Sequence, residues 1–404
     1  MAMETGRRMV SAESGRMVEL GHPWIIADGS TKKWPAAQAG DLLELFDPDG
    51  RFIGTALADP AERVVARLIS RKKIQLDLNW LKIRIQKAVR LRQAFINQEE
   101  TDACRLVNAE GDGLPGLTID RYGEYLLLQL YGSVWRPHLK LLVQALVELL
   151  APVGIYEKTR PQKTRELEAT AESKNYGRLL AGKPAPAQLL VKENGLNFLV
   201  SLEKGLDTGL FMDQRKNRHS LMGISTGKRV LNLFSYTGAF SVAAAAAGAA
   251  KVTSVDVSAA YMERAKENFG VNRLNPKRHE FIIGDCFEVL AGSLKDSRRY
   301  DIILMDPPSF STTTKSRFTT RGGTSGLVAA ALPLLTDGGV LICSSNHQKV
   351  DTADYLKELR RGALQAACGL QVVSLAGQPE DFPYHVTFPE GRYLKYATCV
   401  KRTE

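Results

Sequence analysis

From Gly227 onward the sequence alternates apolar strand-like runs with helical runs, and that alternation leaves few folds open. Strands are predicted at Val230–Leu233, Val252–Val255, Phe281–Ile283, Ile302–Met305 and Val340–Ser344, and helices at Ala239–Ala247, Ala259–Phe269 and Gly326–Leu335. Parallel strands need a crossover between them, and helices of this length supply it. The pattern predicts a parallel, doubly wound sheet. In such sheets ligands bind beyond the carboxyl ends of the strands.

The upstream residues follow other patterns. Residues 15–73 read as β, with Gly21-His22-Pro23-Trp24 opening a strand and Asp47-Pro48-Asp49-Gly50 forming a hairpin turn. Short strands at this spacing suggest a small barrel. A helix is predicted over Asn79–Asn97, with Leu81, Ile85, Ala88, Val89 and Ile96 on one face and Lys82, Arg84, Lys87, Arg90 and Arg92 on the other. Residues 101–200 read as a small β, α, β module. Its predicted strands are Leu117–Asp120, Tyr125–Leu130 and Gly154–Lys158, its helix is His138–Leu150, and a strand pair spans Asn194-Gly195. Residues 159–187 read as loop-rich. Module boundaries are expected at 1–75, 76–200 and 201–404.

Charge is concentrated in one place. From Arg63 to Arg92 there are ten basic residues against one acid, Asp77, while the whole chain carries a net charge of +10. This predicts a phosphate-contacting surface built from Arg63, Arg67, Arg71, Lys72, Lys73, Lys82, Arg84 and Lys87. A solvated helix face is the plainer alternative. The five cysteines are odd in number and form no C-x-x-C pair, so neither a disulfide framework nor a metal site is expected. Met1–Val18 has no apolar signal core, and Ala239–Ala250 is too short to span a bilayer. No membrane partner and a cytoplasmic location are expected.

The predicted strand ends carry the chemistry. The first is Asn232-Leu233-Phe234-Ser235-Tyr236-Thr237-Gly238, with Gly238 as its one glycine. A pyrophosphate-binding G-x-G-x-x-G is absent, which counts against a dinucleotide-dependent oxidoreductase. A tight polar turn suits a nucleoside without bridging phosphates, such as S-adenosylmethionine. Asn232, Phe234, Ser235, Tyr236, Thr237 and Gly238 are therefore candidate cofactor contacts. Asp256 follows the second strand and can accept ribose hydroxyls; Asp285, beside Cys286, follows the third and can accept an adenine amino group. Each aspartate could instead cap a helix. The fourth strand ends in Asp306-Pro307-Pro308-Ser309-Phe310. There a carboxylate and free carbonyls can hold the edge of a planar nitrogen heterocycle, and Phe310 can stack on it.

This order of motifs resembles the class I S-adenosylmethionine-dependent methyltransferases. Nearly end to end, the chain is similar to the PUA-domain-containing 23S ribosomal RNA methyltransferases. The likeness is carried by Gly21–Trp24, Asn108–Gly116, Phe211–Arg215, Phe234–Gly238, Asp306–Phe310 and Pro389–Lys395. It implies an α/β chain whose Rossmann-like methyltransferase domain is preceded by a PUA β-barrel and a small central α/β domain. It also implies that Asp213, Gln214 and Arg215 close over the cofactor, with Arg215 near its carboxylate. Large-subunit ribosomal RNA, or its assembly intermediate, is the implied partner, and a homodimer is possible.

One position departs from that family. Its best-known members methylate C5 of cytosine after a cysteine adds to C6. On an ungapped count from Gly338-Gly339, Asn346 stands at the cysteine position. Cys343 lies three residues earlier, roughly 10 Å along the strand and on its other face, so a buried strand cysteine is expected there. The stretch Ser344-Ser345-Asn346 instead looks similar to the Ser-Asn-Asn of ribosomal guanine methyltransferases. Nitrogen methylation needs alignment rather than an adduct. Asp306, Pro307, Pro308, Phe310 and Asn346 are the candidate catalytic residues, with His347 nearby and Lys315, Arg317 and Arg321 on a polar loop. The rival reading is a protein that binds cofactor and RNA without turnover.

Overall fold

The structure, a computed structural model, describes residues 6–60, 62–159, 175–308, 310–312 and 317–402. Of residues 310–312 and 317–322 it describes the backbone alone. The chain divides into two units. One comprises Met1–Leu189, Ser201–Thr208 and Glu380–Gly391; the other comprises Leu190–Val200, Gly209–Pro379 and Arg392–Glu404.

The N-terminal unit starts with β1 (Gly6–Met9), α1 (Ala12–Glu19), β2 (Trp24–Ile26), β3 (Leu42–Phe46), β4 (Phe52–Ala58) and β5 (Val64–Ser70). The five strands form one sheet in the order β1-β3-β4-β5-β2, with β1 parallel to β3 and the other neighbours antiparallel. The predicted hairpin turn joins β3 to β4, and Gly50 takes the left-handed backbone it requires (φ 80°). Helix α1 lies in a stretch read as β. Its signal is the cap: Ser11 accepts the Ser14 N–H at 3.2 Å, and Glu13 sits in the first turn.

The unit continues with α2 (Leu78–Gln93), β6 (Ala103–Asn108), β7 (Leu117–Tyr122), β8 (Tyr125–Leu130), α3 (Leu139–Leu150), β9 (Gly154–Lys158) and β10 (Gly177–Gly182). These strands form a second sheet in the order β10-β9-β8-β7-β6. Strands β6 and β10 lie in stretches where no strand was predicted. Leu42, Leu57 and Ile69 of the first sheet share a core with Leu81 and Ile85 of α2 and with Leu106 and Leu117 of the second. The basic helix α2 is thus held down by its apolar face.

The C-terminal unit contains β11 (Leu189–Glu193), β12 (Leu196–Val200), α4 (Arg215–Ser225), β13 (Arg229–Leu233), α5 (Ala239–Ala246), β14 (Lys251–Asp256), α6 (Ala259–Val271) and β15 (Glu280–Ile283). It continues with α7 (Cys286–Lys295), β16 (Tyr300–Met305), β17 (Phe310–Thr312), β18 (Arg317–Thr319), α8 (Thr320–Ala331), β19 (Leu335–Ser345), α9 (Thr352–Gln365), β20 (Gly369–Ala376) and β21 (Lys395–Arg402). Its main sheet has the order β15-β14-β13-β16-β19-β21-β20. The five strands from β15 to β19 are parallel, as expected from the alternation. Strand β21 is antiparallel to both β19 and β20, so the sheet is mixed rather than wholly parallel.

Leu231, Leu233, Val255, Ile303 and Met305 are buried in the core of this unit. Each contributes about 1.5–3 kcal/mol on burial. The alanine-rich α5 is buried from Ala239 to Ala245, so its small side chains serve close packing. No helix among the described residues is long and apolar enough to cross a membrane. The hairpin β11–β12, read from sequence with the middle module, packs on α6. There Asn268 and Asn272 accept the Leu199 and Asn197 N–H groups at 2.9 and 2.8 Å.

Two arginines of the basic stretch are not surface charges. Arg92 is 3% exposed and makes a bidentate pair with Asp112, 2.7 Å on each side, while donating to the Asp381 carbonyl at 2.8 Å. Arg67 is 9% exposed and bonds to Asp59 at 3.2 Å and Glu110 at 3.3 Å. Removing one partner of a buried pair strands the other charge. Arg92→Met should therefore lower unfolding stability by about 3–5 kcal/mol. Urea denaturation measures this, and a loss below about 1 kcal/mol would mean that Asp112 is not stranded.

Candidate functional site

Parallel pairing sets the strand ends level. Leu233 faces Val255 on one side and Met305 on the other; Asp256 faces Ile283, and Met305 faces Cys343. The loops after β13, β14, β15, β16 and β19 therefore leave from one edge of the sheet. The strand order reverses between β13 and β16, which is the topological switch point where such sheets bind ligands. Backbone bonds tie the loops together: Ser235 N–H to the Val255 carbonyl at 2.9 Å, and Gly284 N–H to the Asp256 carbonyl at 3.0 Å.

The loop after β13 is sharply wound. Phe234, Tyr236 and Gly238 all have left-handed backbone, with φ of 58°, 51° and 77°. For the two aromatic residues that conformation costs about 1–3 kcal/mol each. Its restraints are the Asp256 carboxylate, which accepts the Tyr236 N–H at 2.9 Å, and Thr237, whose hydroxyl donates to the Gly209 carbonyl at 2.6 Å. Gly238 cannot be replaced: a Cβ there would lie 2.7 Å from that of Ala265. The loop leaves two buried acceptors unused, Ser235 Oγ and Asn232 Oδ1. Unsatisfied buried polar atoms at a strand end fit a polar nucleoside ligand.

Asp256 is not a helix cap, since Ser258 caps α6 by accepting the Tyr261 N–H at 3.2 Å. The Asp256 oxygens instead accept Tyr236 N–H and Ser258 N–H, at 2.9 and 3.0 Å. Burial raises its pKa, and the backbone N–H groups oppose that. Asp285 does cap α7, accepting from Phe287 and Glu288 at 2.9 and 3.3 Å. Cys286 beside it is buried and accepts the Phe234 N–H, and burial above all pushes its thiol up to about 12. Asp256 and Asp285 both bear on that thiol, so the three groups share one neighbourhood.

The carboxyl after β16 has its own network. Asp306 keeps a partly accessible edge, but protein surrounds its carboxyl, and that burial pushes its pKa up to about 6. Ser344 and Gln214 donate to it and the Arg218 charge favours its ionised form, while Asp213 opposes ionisation. Gln214 Nε2 lies 3.0 Å from Asp306 Oδ2 and 2.8 Å from Ser344 Oγ. The Gln214 amide is thus committed to the Asp306 carboxylate, a contact that sequence spacing did not signal across 92 positions. Pro307 is buried and Pro308 exposed. Arg215 is buried at the start of α4, and Asp213 accepts the Tyr393 hydroxyl at 2.8 Å. That bond joins the segments Phe211–Arg215 and Pro389–Lys395 that carried the sequence resemblance.

Cys343 is buried inside β19, and burial holds its thiol well above the ordinary range. Asn346 is exposed just beyond the end of β19. The loop there is anchored by Lys395, whose ammonium donates to the His347 and Tyr393 carbonyls at 2.6 and 2.8 Å. Burial lowers the pKa of Lys395 to about 8. The side chain of Phe310 lies outside the described residues, as do Lys315 and the side chains of Arg317 and Arg321. The backbone on either side, read as loop, pairs as the β17–β18 hairpin.

Of the eight basic candidates, Arg63, Arg71, Lys72, Lys73 and Lys87 are exposed. Lys73 pairs with Glu44 at 2.9 Å and Lys82 with Glu148 at 2.8 Å. Arg84 is half-buried, donates to the Ile69 carbonyl at 3.1 Å, and has its pKa lowered by that burial. Arg67, expected on that surface, is instead buried, with its guanidinium paired to Asp59 and Glu110.

Known proteins resemble this chain in sequence and fold. A family model described as S-adenosylmethionine-dependent methyltransferase matches residues 112–390, and a PUA-like domain model matches residues 9–71. The chain is 31% identical over 381 residues to ribosomal RNA large subunit methyltransferase I of Shigella boydii, covering 94% of this chain and 95% of the relative. The protein of the same name from Yersinia pseudotuberculosis is 31% identical over 379 residues, with the same coverage of each chain. A methyltransferase structure complexed with SAH superposes with a TM-score of 0.88 at 30% identity, over 98% of this chain and 100% of the other. A structure from Streptococcus mutans, described as SAM-dependent, superposes at 0.85 with 30% identity and the same coverage.

The raised pKa of Asp306 has a consequence for stability. Its value of about 6 exceeds the ordinary 3.8, so between these values the native state binds more protons than the unfolded chain. The favourable contribution is full below about pH 4 and is lost as pH rises through about 6. Asp306→Asn should raise the thermal midpoint at about pH 8 by a few degrees, with the gain vanishing near about pH 4. Equal midpoints at the higher pH would contradict a desolvated carboxylate.

Proposed function

The chain belongs to the S-adenosylmethionine-dependent methyltransferase family that includes the ribosomal RNA large subunit methyltransferase I proteins, and from that premise we propose that it methylates a guanine nitrogen in large-subunit ribosomal RNA. The RNA substrate is supported by the PUA-like domain, the net charge of +10, the exposed residues Arg63, Arg71, Lys72, Lys73 and Lys87, and the names of the relatives. The same reading places the protein in the cytoplasm, acting on ribosomal RNA or an assembly intermediate, as one chain or a homodimer. The division at 1–75, 76–200 and 201–404 is kept as a proposal, except that the β11–β12 hairpin packs with the third module rather than the second.

The choice of nitrogen rests on one observation: no thiol is poised as a nucleophile. Adduct formation at cytosine C6 needs a thiolate. No disulfide joins the five cysteines, all of which are described. Burial raises the pKa of Cys286, Cys343, Cys368 and Cys399, and Cys104 is buried in the core of the other unit. A nitrogen acceptor needs no adduct, because its lone pair attacks the methyl carbon directly.

S-adenosylmethionine supplies an electrophilic sulfonium methyl when bound. Asn232, Ser235, Asp256 and Asp285 are the side chains suited to hold it, with Phe234, Tyr236, Thr237, Gly238 and Cys286 shaping the turn. Asp213, which bears on Asp306, and the buried Arg215 two residues on are further candidates for holding it. Asp306 accepts a hydrogen bond from the base N–H and draws electron density toward the nitrogen. As the N–CH₃ bond forms and the sulfonium S–CH₃ bond breaks, that nitrogen sheds its proton, which Asp306 accepts. The Pro307 carbonyl and Asn346 orient the base edge.

Unmodified large-subunit ribosomal RNA should gain methyl groups on guanine, located by mass mapping of the product. Substrate carrying 5-fluorocytosine should give no covalent protein–RNA complex, and trapping one would overturn the nitrogen reading. Activity should fall as pH drops through about 6, because Asp306 must be ionised to accept a proton. Asp306→Asn should lower kcat by about 10²-fold or more.

A further inference from the structure

We infer that Asn217, which lies outside every strand-end motif, is a positioning residue that fixes which end of the Gln214 amide faces Asp306. The inference rests on the reading of Asp306 as the group that accepts from the base.

A carboxamide carries a donor at one end and an acceptor at the other, in nearly the same shape. Its neighbours decide the orientation. Gln214 and Asn217 are 3% and 1% exposed, so protein groups make that choice. They lie one helical turn apart, where side chains meet. Asn217 Nδ2 donates to Gln214 Oε1 at 2.6 Å, and Gln214 Nε2 then donates to Asp306 and to Ser344. Asn217 could itself turn, but its Nδ2 also reaches the Gly377 carbonyl, a long contact at 3.4 Å. A backbone carbonyl only accepts. The direction of the relay is therefore anchored at Gly377 and delivered to Asp306. Ser344, having accepted from Gln214, turns its own proton to the carboxylate. Reversed, the amide would set its oxygen against the carboxylate with no proton between them.

Other charged or titratable groups bear on Asp306: Asp213, Arg218 from α4, Tyr355 from α9 and Tyr396 from β21. Asn217 is neutral, so replacing it with leucine removes the relay without changing those charges. The substitution Asn217→Asp puts an acceptor-only carboxylate at the same place, which would force the Gln214 amide to turn and would add a negative charge.

The test is a direct titration of Asp306 in the full-length protein without cofactor or RNA. It uses ¹³C-carboxyl aspartate NMR, with the resonance assigned by its loss in Asp306→Asn. Asn217→Leu should move the midpoint upward by about half a pH unit or more, and Asn217→Asp should move it further. The acid limb of methyl transfer should follow, with the rate recovering at higher pH; a mere packing defect would depress the rate at every pH. Asp306 midpoints unchanged in both variants overturn the inference, whatever the activity. Moved midpoints support it even if no RNA accepts a methyl group, an outcome that would defeat the base-methylation reading alone. Circular dichroism checks folding, and the nearly isosteric Asn217→Asp keeps the test open if the leucine variant does not fold.

Discussion

The hydrogen-bonded ladder of β13 with β14 on one side and β16 on the other is the constraint from which the site follows. It holds Leu233, Val255 and Met305 at one level, so the chain must leave the sheet at the same edge three times. A slip of one residue would turn every core side chain of β13 to the opposite face. Both faces of β13 are buried, and the slip would drive Asn232, bonded to Ser241 at 2.9 Å, onto the face that Leu231 and Leu233 fill. Register is thus protected by the core, and the site inherits its precision from the register. The chemical groups need only short loops to reach one another.

Those loops are costly. Phe234 and Tyr236 hold left-handed backbone, two buried acceptors lack partners, and Asp306 sits where its charge is poorly solvated. Each feature opposes folding, and each is tolerated because the sheet beneath is well packed. Polar groups left unsatisfied in the folded protein are available to a ligand. A carboxylate held near neutrality by burial and steadied by Gln214 and Ser344 can accept a proton and release it again. The unit trades stability for readiness along the whole edge.

Much of this was legible in one dimension. Alternating apolar and helical runs located β13 to β16 and α5 and α6 to within a residue or two, because burial imposes its periodicity on the sequence. Gly238 stood out as the one glycine of a strand-end turn, and the structure adds that a Cβ there would meet Ala265. Asp306 stood out because two prolines follow a buried strand. Other elements were missed for physical reasons. Strand β20 is exposed along most of its length and carries no clean alternation, and α1 is short and is announced only by its Ser11 cap. The basic run from Arg63 to Arg92 suggested a surface, yet the structure buries Arg67 and Arg92 with carboxylates. Composition counts charges and cannot see their partners.

The sequence alone determined the alternating architecture of the C-terminal unit, the tight turn at Gly238, the acids at the strand ends and the absence of a cysteine at position 346. These are local facts, set by periodicity, by steric room and by residue chemistry. Tertiary structure alone decided that Gln214 meets Asp306 and that Tyr393 meets Asp213. Such pairings join residues far apart in the chain. They depend on strand register and helix docking, which no single stretch of sequence encodes.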